Sequence, residues 1–179
     1  MMRLRPLMAA DRQSVRDLIT AHFSNNGSYT VTVNDESNGV YARVVEADGS
    51  IRGVMALTRY DTKAELGEAM HLVDTVAQIP TASTYGLIHM GYVASDHTGE
   101  GIGSRLLDRL HAIGAREGVD VFVSDAWFHG GTDTPEHLLR NHGYEVAFKR
   151  PLSGGHAEDD CPKCTGECVC EAALTVRTS

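Results

Sequence analysis

The sequence predicts an α/β or α+β fold, in which one sheet carries helices on both of its faces. Segments rich in β-branched and aromatic residues, each of strand length, recur along the whole chain. Between several of them lie segments whose apolar residues repeat at the spacing of an amphipathic helix. No internal repeat and no linker divides the 179 residues, a length that suits one domain. We therefore expect a single domain over residues 1–179.

The N-terminal half contains three predicted strands and one predicted helix. Apolar residues at spacings of three and four predict a helix over roughly 11–23, with Asp11 at its N-cap. Asp48-Gly49 is a hairpin turn signal. The predicted strands cover 2–7, 40–46 and 51–60.

The C-terminal half begins with a mixed stretch, 61–83, that contains a candidate helix. Residues 86–93 predict a strand, which leads through a glycine-rich turn into a long amphipathic helix ending at Gly118. A short helix is predicted from Pro135 to His142, with proline at its first position. Further strands are predicted at 120–127, 144–151 and 171–177.

The net charge of −8 argues against non-specific nucleic-acid binding, which needs a basic surface. It is compatible with a cationic substrate such as an amine. No apolar run is long enough to cross a bilayer, and the N-terminus lacks the pattern of a signal peptide. We expect a cytoplasmic protein that binds neither membrane nor nucleic acid.

The strongest local feature is the turn between strand 86–93 and the long helix, which carries Gly99, Gly101 and Gly103. The first turn of a helix has N–H groups outside the hydrogen-bond ladder and a positive dipole end. Glycines allow an anion to approach these groups closely, so the turn is a candidate phosphate cradle. The alternative is a tight turn that only admits the helix. The spacing is neither that of a dinucleotide-binding fold nor that of a Walker loop.

The segment YVASDHTGEGIGSRLLDRLHAIGAREG resembles the coenzyme A motif of the GNAT acetyltransferases, in which a strand and a glycine-rich turn open a long helix. The order of the predicted elements is similar over nearly the whole chain. LLRNHGY (138–144) resembles the family signature at the end of the last helix. The resemblance implies a mixed central sheet flanked by helices, and transfer of an acetyl group from acetyl-CoA to a primary amine of a small molecule or peptide.

The resemblance also implies how acetyl-CoA binds. Backbone N–H groups of about residues 99–104 would hold the pyrophosphate, and the main chain of the preceding strand would pair with the pantetheine arm. Thr98 stands where the family usually has Gln or Arg, and Glu100 adds negative charge to the phosphate site. The residues assigned to the coenzyme are Tyr92, Val93, Thr98, Gly99, Glu100, Gly101, Ile102, Gly103 and Ser104.

Acetyl transfer requires a neutral amine, so a base must accept its proton. His89 lies on the coenzyme strand, near the place of a catalytic glutamate in some relatives, and imidazole has a pKa of about 6.5. The alternative is a histidine hydrogen-bonded within the sheet. Asp125 and Tyr144 are the other catalytic candidates, although Tyr144 replaces the usual Phe and could serve only in packing. Leu139 occupies the position of the tyrosine that acts as general acid in many relatives.

All four cysteines lie within ten residues, at Cys161, Cys164, Cys168 and Cys170. The spacing C-x2-C-x3-C-x-C, with a CPxC turn, favours a closed tetrahedral Zn²⁺ site of structural type. Two disulfides or redox-active thiols are the alternatives. We expect a metal-binding insert at about 156–170, between the last two strands.

Two functions compete with acetyl transfer. One is an acyl-CoA-binding sensor with weak or no transferase activity, and the other is an interaction protein that docks a partner through the zinc knuckle. A homodimer is a possible assembly under any of these functions. The acceptor cannot be read from the sequence, because the loops that build acceptor pockets in this fold have no clear pattern here.

Overall fold

Seven strands and four α-helices lie within residues 1–21, 30–128, 135–151 and 171–179, which are the residues that the computed structural model describes. The strands are β1 (Met2–Pro6), β2 (Val40–Ala47), β3 (Ser50–Tyr60), β4 (Tyr85–Val93), β5 (Val121–Phe128), β6 (Glu145–Pro151) and β7 (Glu171–Thr178). The α-helices are α1 (Arg12–Thr20), α2 (Lys63–Ala69), α3 (Ile102–Arg116) and α4 (Pro135–Asn141). Each predicted strand and helix is confirmed, with ends that differ by a few residues, and α2 begins the mixed stretch 61–83.

The strands form a mixed sheet in the order β1-β2-β3-β4-β5-β7-β6. β4 and β5 are parallel neighbours and pair from Tyr85↔Val121 to Leu87↔Val123. β1 with β2, β2 with β3, β5 with β7 and β6 with β7 pair antiparallel. The predicted class, a mixed sheet flanked by helices, is therefore confirmed.

Asp11 does not cap α1 with its side chain, contrary to the sequence prediction. A 3₁₀ turn, Ala9–Asp11, runs directly into the helix, so Asp11 has helical dihedral angles. Its carboxylate turns back instead. Oδ2 accepts hydrogen bonds from the backbone N–H of Met8 at 2.8 Å and from Nη1 of Arg5 at 2.7 Å. The ion pair with Arg5 determines the orientation of the Asp11 carboxylate, because charge-assisted hydrogen bonds are stronger than neutral ones.

The described residues divide into two compact units, and the prediction of a single domain stays a prediction. Unit 1 comprises Met1–Thr58 and Ile88–Arg116. In its core, apolar residues of α1 pack against β2, β3 and the end of β4. The buried members of this cluster are Leu7, Val15, Ile19, Val31, Ala42, Val44, Val54, Ala56 and Met90.

Unit 2 comprises Arg59–Leu87 and Glu117–Ser179. Its core joins α2 and the segment after it to β5, β7 and the start of β4. The hydroxyl of the buried Tyr85 accepts a hydrogen bond from the N–H of Ala82 at 2.8 Å, which satisfies its polar end. The buried members are Leu66, Met70, Leu72, Ile79, Tyr85, Leu87, Val121, Val123, Ala172 and Leu174.

Candidate active site

The end of β4 departs from regular strand geometry at Met90. Its φ is 55°, in the left-handed region, and the side chain is only 5 % exposed. A bulky residue in this region costs about 1–3 kcal/mol and persists only where the surroundings hold it. Pairing with β3 resumes beyond the break, since the N–H of Ala94 donates to the carbonyl of Arg52 at 2.8 Å. The break therefore re-aims the strand between His89 and the glycine-rich turn.

The turn after β4 depends on glycine at two places. Gly99 and Gly101 have φ values of 81° and 77°, which side-chain-bearing residues adopt only with strain. A Cβ atom at either position would meet no described atom within 4 Å. Backbone conformation, and not lack of space, therefore requires glycine here, and the open side of the turn is accessible to a ligand.

The first turn of α3 supplies the donors that a phosphate needs. The first hydrogen bond of the helix ladder runs from the N–H of Arg105 to the carbonyl of Gly101 at 3.0 Å. The N–H groups of Ile102, Gly103 and Ser104 precede that bond, so the ladder does not consume them. These donors and the positive end of the helix dipole can hold a pyrophosphate.

Gly53 on β3 seats the start of α3 against the sheet. A Cβ atom at this position would clash with Cγ2 of Ile102 and would lie 3.2 Å from Cδ1 of Leu106. Both side chains are buried, so neither can move freely. Sequence reasoning missed this residue, although an isolated glycine within a strand pattern is itself a sign of close backbone approach.

Two acidic side chains of the turn lie close to His97. Its Nδ1 lies 3.0 Å from Oε2 of Glu100, and its Nε2 lies 3.7 Å from Oδ2 of Asp96. Thr98 does not contribute a charge, and its hydroxyl donates to the carbonyl of Ser95 at 3.1 Å. The acidic side chains of the turn are thus held by contacts within the turn, and the N–H groups at the start of α3 are its candidate phosphate donors.

His89 is half-buried on β4, and its Nε2 atom lies 2.8 Å from Oγ1 of Thr58 on β3. The contact fixes the plane of the imidazole ring. A hydroxyl can donate to or accept from imidazole, so it is compatible with either tautomer. Sequence reasoning identified His89 but missed Thr58, since the two residues are 31 positions apart.

Asp125 lies on β5 in unit 2, where its Oδ2 atom accepts a hydrogen bond from the N–H of Leu72 at 2.8 Å. Burial raises the pKa of this carboxyl, against opposing effects of the Leu72 hydrogen bond and the nearby His71. The side chain therefore ties the segment after α2 to the strand. It is also a carboxyl that holds a proton more readily than an exposed one.

Tyr144 and Leu139 belong to the end of α4. Gly143 follows the helix with φ of 85°. The N–H of Gly143 donates to the carbonyl of Arg140 at 3.1 Å, and the N–H of Tyr144 donates to the carbonyl of Leu139 at 3.1 Å. This is a Schellman ending, and Leu139 and Tyr144 are both buried. Burial also raises the pKa of Tyr144, which keeps the phenol protonated. The segment LLRNHGY therefore corresponds to the end of α4 and the turn that terminates it.

The four cysteines and the insert at 156–170 lie outside the described residues. Within the described ranges, no group of three or more His, Cys, Asp or Glu side chains is placed to hold a metal ion. No helix of the described part of the chain is long and apolar enough to cross a membrane.

The mixed sheet, the strand break and the open glycine turn at a helix start define an acyl-CoA-binding acyltransferase fold. The sequence model of the acetyltransferase (GNAT) family matches residues 10–128, which include β4, the turn and α3. The chain therefore belongs to the GNAT acetyltransferase family and is an N-acetyltransferase with acetyl-CoA as its cosubstrate. A comparison with curated proteins gave no significant sequence match.

Solved structures of other acetyltransferases share the fold. An N-acetyltransferase from Staphylococcus aureus Mu50 superposes with a TM-score of 0.65 at 14 % identity, over 99 % of this chain and 98 % of that chain. The ribosomal-protein-alanine N-acetyltransferase of Brucella melitensis gives 0.63 at 15 %, over 99 % of both chains. The polyamine N-acetyltransferase of Drosophila melanogaster gives 0.64 at 13 %, over the full length of both.

Proposed function

We propose that the acceptor is a primary amine of a small molecule or peptide. The net charge of −8 favours approach of a cationic amine. Proteins of the same fold act on both kinds of acceptor, since one forms N-acetylagmatine and another acetylates an alanine of a ribosomal protein.

The glycine turn is proposed to bind the coenzyme. The open space beside Gly99 and Gly101 leaves room for a phosphate, and the N–H groups of Ile102, Gly103 and Ser104 at the helix start would be its donors. The proposed set also includes Thr98, Glu100 and the main chain of Tyr92 and Val93, which follow the break at Met90. Acetyl-CoA supplies an acetyl group activated as a thioester.

His89 is proposed as the general base. It directly precedes the strand break, and the 2.8 Å contact with Thr58 holds its ring in one orientation. This contact is the single observation on which the proposal chiefly depends. The imidazole accepts a proton from the acceptor amine, directly or through water, so that the nitrogen attacks the thioester carbonyl as a neutral nucleophile. The new C–N bond replaces the C–S bond of the thioester, and coenzyme A leaves as a thiolate that takes a proton from solvent. Leu139 is apolar, so it donates no proton to the departing thiolate.

Asp125 and Tyr144 are the second and third catalytic candidates. The raised pKa of Asp125 suits a proton acceptor nearer neutral pH, but its Oδ2 atom is already engaged by Leu72. Tyr144 is 3 % exposed, which favours the packing role that the Schellman ending gives it. We therefore rank His89 first, Asp125 second and Tyr144 third.

We also propose that Cys161, Cys164, Cys168 and Cys170 bind one structural Zn²⁺. The support is the sequence alone, four cysteines in a ten-residue segment with a CPxC turn. Such an ion would stabilise the connection between β6 and β7.

The acceptor proposal is tested by release of coenzyme A thiol with a panel of agmatine, spermidine and a peptide with N-terminal alanine. Turnover with at least one amine, and acetylation of that amine by mass spectrometry, is the expected result. Stoichiometric binding of acetyl-CoA without turnover on any of the three amines would count against these acceptor classes.

A further inference from the structure

Arg52 on β3 contains a buried hydrogen-bond donor that has no acceptor. Its Nε atom is shielded from solvent and makes no hydrogen bond with the described residues. Its guanidinium also takes part in no ion pair within the described part of the chain. Arg59 has a similar Nε atom, but its Nη2 atom pairs with Asp61 at 3.0 Å. An unsatisfied buried donor is costly, so that of Arg52 calls for an acceptor that the described chain does not supply.

The pairing of β2 with β3 is irregular at Arg52. Gly53 pairs with Val45, whereas Ile51 pairs with Glu46. Arg52 is therefore an inserted residue that has no partner on β2. Insertions of this kind bend a strand and re-aim a side chain, and they are over-represented next to active sites.

The backbone of Arg52 lies close to both ends of the glycine-rich turn. At the entry to the turn, the N–H of Ala94 donates to the carbonyl of Arg52 at 2.8 Å. At the exit, the neighbouring Gly53 lies so close to Ile102 that a Cβ atom on the glycine would clash with Cγ2 of that residue. The arginine side chain is long enough to reach a ligand at the first turn of α3.

The turn itself brings no permanent positive charge to these donors. Residues 94–101 contain neither Lys nor Arg, whereas they contain Asp96 and Glu100. His97 lies against both carboxylates, so its charge, when it is protonated, is already shared with them. Backbone N–H groups and the helix dipole supply only partial charges. A pyrophosphate at the start of α3 therefore needs a cation from another element.

We propose that Arg52 is this cation and binds the pyrophosphate of coenzyme A. The inference rests on the proposed binding of the coenzyme at the glycine turn. A guanidinium fork matches a phosphoryl group with parallel charge-assisted hydrogen bonds, and the bound phosphate would give the orphaned Nε atom an acceptor. Arg52 thus contributes to affinity for the acetyl donor and takes no part in the proton transfer.

The test is calorimetry with coenzyme A, 3′-dephospho-coenzyme A and pantetheine, which lacks phosphate. Arg52→Met keeps the apolar stem and removes the guanidinium. It should weaken binding of both phosphorylated ligands about 10- to 100-fold, the value of one lost charge-assisted hydrogen bond, and leave pantetheine binding unchanged. The KM for acetyl-CoA should rise by a similar factor without a change in kcat. The melting temperature of the free protein should not fall, because an unsatisfied buried donor is removed.

Arg3→Met is the matched control, since Arg3 is an exposed strand arginine of the same unit and lies on β1, two strands from β3. It should leave the binding of all three ligands unchanged. Equal weakening of the three ligands by Arg52→Met, or the same loss in Arg3→Met, would overturn the proposal. A loss confined to coenzyme A would also overturn it, because that result places Arg52 at the 3′-phosphate.

Gly101→Glu separates this inference from the proposal on which it rests. If Gly101→Glu abolishes binding and Arg52→Met binds coenzyme A normally, the turn holds the coenzyme and only the role of Arg52 is wrong. If Gly101→Glu binds coenzyme A normally, the assignment of the turn fails, and the role of Arg52 fails with it.

Discussion

The Nε2 atom of His89 on β4 lies 2.8 Å from the hydroxyl oxygen of Thr58 on β3, immediately before the left-handed residue Met90. The hydrogen bond and the strand break together fix the direction of the imidazole. The contact is therefore the relationship on which the assignment of a base depends.

His89→Ala should lower kcat by about 10²–10⁴-fold at neutral pH if the imidazole is the base, because the amine then loses its proton acceptor. The affinity for acetyl-CoA should change little. Thr58→Val should give a smaller loss, and Thr58→Ser, which keeps the hydroxyl, should restore most of the rate. Steady-state kinetics between pH 6 and 9 measure each effect. An unchanged rate for His89→Ala across this range would move the assignment to Asp125.

Gly101→Glu should abolish coenzyme A binding, because it places a side chain and a negative charge at the open side of the turn. Gly101→Ala should weaken binding less, through a strain of about 1–2 kcal/mol in the left-handed region. Gly49→Ala is a matched control, since Gly49 has φ of 75° and equally open surroundings, but lies in the β2–β3 hairpin. Calorimetry should show normal coenzyme binding for this control. Normal binding by Gly101→Glu would mean that the phosphates lie elsewhere.

Gly53→Ala should both destabilise the protein and weaken coenzyme binding. The added methyl group clashes with Ile102, and overpacking of this kind costs about 1–3 kcal/mol. Because Ile102 opens α3, the helix start and its N–H donors must shift. Gly67→Ala in α2 is the control, since its Cβ atom would lie 3.2 Å from Cγ2 of Val76, in unit 2. A loss of stability without any change in coenzyme affinity for Gly53→Ala would contradict the seating role.

Asp125→Asn should raise the melting temperature at pH 7 relative to the unmutated chain. Burial raises the folded-state pKa of Asp125 above its unfolded value, so the folded state binds the proton more tightly. The stability that the protonated Asp125 carboxyl contributes is fully present below the unfolded-state pKa of about 3.9. This contribution is lost as the pH rises through the folded-state pKa. Asn keeps an oxygen for the N–H of Leu72 but never ionises. The difference between the two melting temperatures should therefore shrink as pH falls towards 4. A constant difference at all pH values would contradict the linkage.

Elemental analysis of protein purified without added metal should find about one zinc per chain if the four cysteines form the proposed site. Chelation should lower the melting temperature but leave coenzyme A binding intact, because the glycine turn belongs to a different segment of the chain. Thiolates must be deprotonated to bind zinc, so affinity should fall in acid. Two disulfides by mass spectrometry, or four titratable thiols without zinc, would exclude the site.

The order of strands and helices, the glycine turn and the ending of α4 were predictable because each depends on residues close together in the chain. Apolar spacing decides whether a segment is strand or helix, and glycines at a helix start act within a few residues. The family resemblance also depended on such local patterns, and the match over residues 10–128 confirmed it. Asp11 shows the limit of this reasoning. Asp11 occupies the N-cap position that the sequence predicts, but its carboxylate pairs with Arg5 and does not cap the helix.

Tertiary structure alone decided which distant residues meet. Thr58 reaches His89 across 31 positions, and Leu72 reaches Asp125 across 53. Gly53 lies beneath Ile102, which opens α3. No local period encodes these contacts, because they depend on strand register and on how closely a helix packs against a sheet. The sequence by itself determined the elements and the glycine-rich turn, whereas packing between elements determined the orientation of the candidate base.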